Sequence, residues 1–571
     1  MDQVCRDWII GEDYSDFIVE YRNNLTALNA TPNICYNTVD NNYAVIYTPT
    51  VNVVVEKALH TYGYRIFPKL YGLMDVGSLE VSGVTRVRNV PALSLSGEGV
   101  LIGIVDTGID YTHEAFKNAD GTTRIVSIWD QTISTGPYPN TYYYGTEYNR
   151  EQINQALRSQ TPHSVVPTID ELGHGTFMAG IAAGNPNLQN NFSGVAPSSD
   201  IVVVKLKQAK QNVRKVFRVP SNAVAYQEND IMFGIRYLTD IAKTLSRPIA
   251  ICVGLGSSQG AHDGRGSLSS FLSILADQPG VAISIAAGNE GYAGHHFQGV
   301  IDKNSEHSDM VELKVGPNLE GFSMQLWGNA PNIFSIDILS PSGEYIPRIP
   351  ARIGETREIR FIFEKAVVHV DYFILENETG DQLVLMNFDN PTEGIWRFRV
   401  YASGDLNSEF HIWLPITEFI GTETAFVQPT PDVTVTTPGN SVIPIVVTAY
   451  DFTNNSLYLQ AGRGFSRTGT IVPNFAAPGV NLTGPEPGGT YGKRTGTSLA
   501  AAHTAGITAM LLQWGTLNNY SSQLDSVELK NLLIRGARRD PNNTYPNTEW
   551  GYGIIDLYNT FISLRGDPRT N

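Results

Sequence analysis

Four apolar runs of strand length constrain this chain more than any other feature. They are GVLIGIVD (99–106), DIVVVKL (200–206), PIAICVGLG (248–256) and GVAISIAAG (280–288). A strand with one wet face alternates apolar and polar residues, and these runs do not alternate. Both of their faces must be buried. Helical stretches lie between or after them: the segment following His174, Asn229 to Leu245, and Leu268 to Gln278. Apolar strands alternating with helices predict an α/β fold, a parallel sheet with helices on both faces.

The flanking texture differs. Residues 1–76 read as a small α+β unit, with a strand over Tyr43 to Thr48, a helix over Val51 to Gly63 and a strand over Tyr64 to Leu70. From 299 to 426 the period changes to two: Phe322, Met324 and Leu326 alternate with polar residues, as do Phe334, Ile336 and Ile338, and Trp396, Phe398 and Val400. Turn residues such as PSG and NPTEG separate these runs, which predicts an antiparallel β-sandwich or jelly roll. Helical texture returns at Ser498 to Trp514 and Ser526 to Arg538. The β-rich block therefore reads as an insertion that splits the α/β domain into 77–298 and 427–571. At 571 residues the chain has room for these units and a large core.

Charge and cysteine usage exclude several classes. Lys plus Arg number 40 against 56 Asp plus Glu, a formal charge of −16. No basic footprint for nucleic acid is expected from that balance. The three cysteines, Cys5, Cys35 and Cys252, are too few and too scattered to predict a disulfide framework, and no CxxC pair suggests zinc. No window of 18 uncharged apolar residues predicts a membrane span, and the start MDQVCRDWIIGEDYSDF lacks the pattern of a classical signal peptide. The expected location is cytoplasmic or otherwise cell-derived.

The chemistry lies where strands end and helices begin. VLIGIVDTGID places Asp106 at the carboxyl end of a buried strand, where open α/β sheets bind ligands. In ELGHGTFMAG, His174 stands between two glycines that let backbone come close to the ring. In RTGTSLAAAHTAG, Ser498 opens an apolar helix, either as an N-cap or as a nucleophile beside converging N–H groups. Each segment alone has an ordinary structural reading. Together, in the order Asp, His, Ser on one α/β domain, they supply an orienting acid, a base and a nucleophile.

With these segments the chain resembles the subtilisin-like serine proteases, the subtilases of the S8 family. The matching motifs are VDTGID, GHGTFMAG, GTSLAAAHTAG, SIAAGNEG (284–291), VGLGSS (253–258) and NFAAPGV (474–480). The resemblance implies that Ser498 attacks a peptide carbonyl, that His174 relays the proton and that Asp106 orients it. It implies that Asn289 donates to the oxyanion. It also implies that Gly254, Leu255 and Gly256 pair with substrate backbone, and that Ala286 and Gly288 help line the pocket before the scissile bond. Ala502 stands where the family usually has proline, and Leu499 where methionine is usual; neither removes a catalytic group. His503 is expected to pack within the helix.

Residues 1–76 then resemble a prodomain, an intramolecular chaperone and inhibitor, with self-cleavage expected near Val76-Gly77 and its end left in the cleft. The β-rich insertion and the small prodomain resemble the Csp germination proteases of clostridial spores and their gut Firmicutes relatives. That kinship implies a spore-associated protease acting on a protein such as a cortex-lytic proenzyme, with a prodomain that can stay bound after cleavage. Some relatives act as non-catalytic sensors, so a protease-like scaffold is the alternative. No cofactor and no metal are expected: His295-His296 lack a third ligand in the sequence, and no acidic calcium loop is apparent. The basic run Lys205, Lys207, Lys210, Arg214, Lys215 and Arg218 is expected to be a solvated loop, with docking of an acidic partner as the sharper reading. Cys252 is expected to be a small buried hydrophobe.

Overall fold

The computed structural model describes residues 3–30, 34–53, 58–59, 61, 63–73, 82–89, 93–305, 307–308, 310–353, 356–517 and 524–564. The apolar runs lie side by side at the centre of a nine-stranded sheet. Its order is Ser456–Leu457, Ile445–Asp451, Val281–Ala286, Ile249–Val253, Leu101–Asp106, Asp200–Lys205, Ile125–Asp130 and Thr146–Asn149, with Phe475–Pro478 also paired to Ile445–Asp451. All pairings among the long strands are parallel; Ser456–Leu457 and Thr146–Asn149 close the edges antiparallel. Alternate side chains feed two separate cores. Ile102, Ile104, Ile201, Val203, Ala250 and Cys252 join the core that holds the His174 and Ser498 helices. Leu101, Val105, Val202, Val204, Ile249 and Ile251 join the other, beneath the helices Glu228–Thr244 and Ser267–Ala276. Burial on both faces is the physical reason the runs carry no polar alternation.

The helices form where the sequence places them. Helix His174–Ala183 is buried on every side, in keeping with its Ala- and Gly-rich sequence. Helix Thr497–Leu517 packs beside it, so closely that a Cβ on Gly506 would lie 2.4 Å from Val195 and 2.8 Å from the Ala182 carbonyl oxygen.

Residues 296–426 form two antiparallel sheets, one of six strands and one of five. Phe322, Met324, Leu326, Val370 and Met386 from the first face Leu313, Phe334, Ile336, Trp396 and Phe398 from the second across one shared core. The other face of the six-stranded sheet is not solvated, contrary to simple alternation. Trp327, Leu383, Leu385 and Trp413 pack there against Tyr64, Phe67, Leu70 and Phe217. Three layers thus meet at Trp327: the two-sheet body, the N-terminal residues and the α/β body.

In the N-terminal region, Tyr14–Glu20 and Cys35–Thr38 flank Tyr43–Pro49 in an antiparallel sheet. The strand expected over Tyr43 to Thr48 is present. The one expected over Tyr64 to Leu70 is not: 64–69 turn, and the strand runs Leu70–Leu73, because its pairing partners come from the α/β body. Of the helix expected over 51–63, residues 51 and 52 belong to a short 3-10 turn, 58, 59 and 61 are helical, and 54–57, 60 and 62 lie outside the described residues, as do Val76 and Gly77.

Two sequence expectations are corrected here. Cys5 and Cys35 form a disulfide that ties helix Gln3–Ile10 to the small sheet. The basic run is not a solvated loop. Lys205, Lys210 and Arg214 are buried and only Lys215 is exposed. Lys210 Nζ bonds Asp16 of the first strand at 2.6 Å, while Gln227 Nε2 and Asn229 Nδ2 donate to the other oxygen of Asp16 at 3.2 and 3.1 Å. Lys207 Nζ bonds buried Asp230 at 2.6 Å. Removing one member of such a buried pair strands the other charge, at a cost of about 3–5 kcal/mol. The cluster therefore clamps the N-terminal residues onto the α/β body.

The cysteine arrangement gives a direct check. Burial, reinforced by the Asp106 charge, pushes the Cys252 thiol well up. The native, unreduced protein is expected to show no thiol to a chromogenic disulfide reagent, and the denatured protein one. Two or more thiols in the denatured, unreduced chain would contradict the pairing.

Candidate active site

The strand Leu101–Asp106 ends beside the start of helix His174–Ala183, and glycine makes the approach possible. A Cβ on Gly175 would lie 2.2 Å from the Gly108 carbonyl oxygen and 3.2 Å from Asp106 Cβ. The Gly175 N–H donates to Thr107 Oγ1 at 2.9 Å, stitching the two segments together. At this junction His174 Nδ1 lies 2.7 Å from Asp106 Oδ1, which also accepts the Thr107 N–H at 2.8 Å. Across the ring, His174 Nε2 lies 3.2 Å from Ser498 Oγ. All three side chains are almost wholly buried, at 0%, 3% and 0% exposure for Asp106, His174 and Ser498. Burial excludes water from the carboxylate–imidazole contact and strengthens it. The carboxylate fixes the proton on Nδ1, leaving Nε2 as the acceptor that faces the hydroxyl.

Asn289 stands on the other side of Ser498. Its Oδ1 accepts from the Thr497 N–H at 3.2 Å and from Thr497 Oγ1 at 3.1 Å. Pinning the oxygen turns Nδ2 away as the donor end of the amide. Thr497 Oγ1 in turn accepts the Gly288 N–H at 3.1 Å. Gly288 has φ +96°, and any Cβ there would strike Thr436. Ala286 ends its strand fully buried. Gly254 comes so near the serine that a Cβ would lie 3.0 Å from Ser498 Cβ.

Leu255–Gly256 is already paired. It runs antiparallel to the chain's own Leu70–Leu73, with Leu255 opposite Leu73 and Gly256 opposite Gly72. The same segment pairs on its far side with Tyr226–Gln227, Leu70 opposite Gln227 and Tyr71 opposite Tyr226. The segment lies as the middle strand of three, with the Tyr71 side chain fully buried.

Some contributors escape a reading of motifs. The second edge, Tyr226–Gln227, carries no motif. Asp170 fixes the start of the His174 helix, accepting the Gly173 N–H at 2.9 Å on Oδ1 and the Thr176 N–H and Oγ1 at 2.9 and 2.7 Å on Oδ2. Its signal, an acid four residues before a histidine, is too common to single out. Thr497 is hidden within a motif whose serine draws notice. His503 is no second base: its Nε2 bonds Ser82 Oγ at 2.6 Å, and burial with the nearby Arg88 charge lowers its pKa to about 3. His295 pairs with Glu290 at 2.7 Å and His296 with His411 at 3.0 Å. Among the described residues no cluster of three metal-ligating side chains occurs, and no helix is long and apolar enough to cross a membrane.

The profile of the Subtilase family matches residues 97–309 and 386–553 of this chain. A subtilisin of Bacillus sp. strain TA39 is 25% identical over 224 residues, which are 39% of this chain and 42% of that protein. The subtilisin-like protease SBT2.1 of Arabidopsis thaliana is 30% identical over 172 residues, 27% of this chain and 19% of its own length. The chain thus spans less than half the length of these curated relatives. The solved structure of the Clostridium perfringens CspB protease superposes with a TM-score of 0.75 and 31% identity, covering 86% of this chain and 99% of that one.

The glycine junction is testable without reference to activity. Gly175→Ala is expected to separate His174 from Asp106. The downfield imidazole Nδ1–H proton resonance of the native protein should then disappear. An unaltered resonance in a folded variant would show that the approach has slack.

Proposed function

Because the chain belongs to the subtilase family, we propose that it is a serine endopeptidase working through Asp106, His174 and Ser498. The observation that carries this reading is the continuous hydrogen-bonded line from Asp106 Oδ1 through the imidazole to Ser498 Oγ, 2.7 and 3.2 Å in its two steps. Such a line lets the hydroxyl lose its proton as it attacks a peptide carbonyl. His174 accepts the proton at Nε2, and Asp106 stabilises the imidazolium through Nδ1. The carbonyl oxygen becomes an oxyanion facing Asn289 Nδ2. Collapse releases the amine, which takes the proton from Nε2. Water then enters, gives a proton to the same nitrogen as its oxygen attacks the acyl carbon, and the proton returns from Nε2 to Ser498 Oγ as the acyl–oxygen bond breaks and the acid leaves.

The pairing of Leu70–Leu73 with Leu255–Gly256 supports a second element. We read residues 1–76 as a prodomain whose end lies along the substrate edge, cut near Val76-Gly77 and retained by the buried clamp around Asp16. Residues 299–426 are read as an inserted domain of the jelly-roll kind, between subtilase halves 77–298 and 427–571. Likeness to the CspB protease supports a spore-associated role in processing another protein, such as a cortex-lytic proenzyme. The substrate is a protein, and no step calls for a cofactor.

Expression of wild type beside Ser498→Ala tests self-cleavage. Wild type should yield an N-terminal fragment and a large one, while the variant stays whole; identical single bands would remove the self-processing reading. In Asn289→Ala, kcat is expected to fall by about 10²–10³, the magnitude known for the corresponding asparagine of subtilisin. An unchanged kcat would remove Asn289 from the oxyanion site.

A further inference from the structure

The segment lying in the cleft carries a lysine into a subsite that neither edge strand provides. Lys69, directly before Leu70–Leu73, is 3% exposed. Its ammonium lies 3.8 Å from Glu228 Oε2, donates to the Arg65 carbonyl at 3.0 Å and sits 4.9 Å from the centre of the Tyr64 ring. Glu228 grips the same residue by its backbone. Glu228 Oε2 accepts the Lys69 N–H at 3.1 Å, and the Glu228 N–H donates to the Lys69 carbonyl at 2.9 Å. Its other oxygen accepts the Leu268 N–H at 3.0 Å, so the carboxylate is fixed before any lysine arrives. Gln259 Oε1 accepts the next N–H, that of Leu70, at 3.1 Å.

A second carboxylate comes from the two-sheet body. Glu378 lies on the turn between strands Val367–Phe373 and Gln382–Asp389. It bonds Arg65 Nε at 3.1 Å and accepts from Ser267 Oγ of the α/β body at 3.4 Å. Glu376 steadies the turn, accepting the Glu378 N–H at 3.0 Å. Burial pushes the Glu378 carboxyl up to about 7, with Lys69 and Arg65 pulling it down. Glu228 thus faces the Lys69 ammonium and Glu378 the neighbouring Arg65 guanidinium, and two buried carboxylates at this place favour cations beside them and disfavour a neutral or acidic occupant.

We propose that Glu228 and Glu378 form a specificity subsite, shared by the α/β body and the two-sheet body, that selects lysine or arginine in protein substrates two residues before the one held opposite Tyr226. The proposal rests on reading the cleft as that of a protease, with 69–73 lying where a substrate lies. It gives the two-sheet body a part in choosing substrate as well as in covering the N-terminal residues.

Quenched-fluorescent peptides carrying residues 67–82 of this chain, with Lys, Ala or Glu at the position of Lys69, test it on the full, self-processed protein. The Lys peptide should show a KM about tenfold below that of the Glu peptide, at similar kcat, and the contrast should collapse in Glu378→Gln. Equal cleavage of all three peptides, or a contrast that survives in Glu378→Gln, would overturn the subsite. If a retained N-terminal fragment keeps peptides out, the same contrast is read in the intact chain. Lys69→Glu should slow self-processing, and adding Glu378→Lys should restore it; no slowing, or no restoration, overturns the subsite. A chain that neither self-processes nor cuts any peptide overturns the protease reading itself, whereas cutting without preference overturns the subsite alone.

Discussion

The contact between Gly108 and Gly175 is the constraint on which the site depends. With no side chain at Gly175, the helix start can rest on the Gly108 carbonyl just past the strand end, where a Cβ would lie 2.2 Å from the oxygen. That approach sets the imidazole of His174 against the carboxylate of Asp106. Thr107 and Asp170 hold the backbone on either side of His174. The serine arrives from a third segment, on a helix that glycine again lets pack closely. The alignment of Asp106, His174 and Ser498 is a consequence of close backbone packing, with the polar atoms placed by it.

The wider architecture serves the same edge. A parallel sheet gathers its strand ends on one side, and helices on both faces bury what the strands cannot hide. Asp106 and Ala286 end two of those strands, and Gly254 follows the end of a third. The chain between the sheet and the serine helix makes a long excursion into two antiparallel sheets. Their outer face, through Trp327 and Trp413, covers the N-terminal residues that lead into the strand Leu70–Leu73. The buried charges around Asp16 hold the same residues from the other side. The segment 70–73 is thus positioned by three bodies at once.

Much of this was legible in the sequence because the informative signals are local. Continuous apolar runs state that both strand faces are buried. The boundaries of the helices Glu228–Thr244 and Ser267–Ala276 fall within two residues of those read from periodicity. Asp106, His174 and Ser498 were visible because special chemistry at a strand end or helix start comes with glycines that packing demands. The rest was hidden because its partners are distant in the chain. Lys210 looks like a solvated lysine until Asp16, 194 residues away, is placed against it. The strand read over Tyr64 to Leu70 is displaced to Leu70–Leu73 because that strand borrows both its neighbours from another part of the molecule. Cys5 and Cys35 look unrelated until the small sheet brings them together.

The central claim is that folding makes Ser498 a nucleophile by hydrogen-bonding it to His174. The most direct test is peptide mapping by mass spectrometry after exposure of the folded protein to a fluorophosphonate, in wild type and in His174→Ala. The account predicts a phosphonyl adduct on Ser498 in wild type and none in the variant. A wild-type protein freed of its N-terminal fragment that takes up no adduct at Ser498, or a variant labelled as fast as wild type, would contradict it.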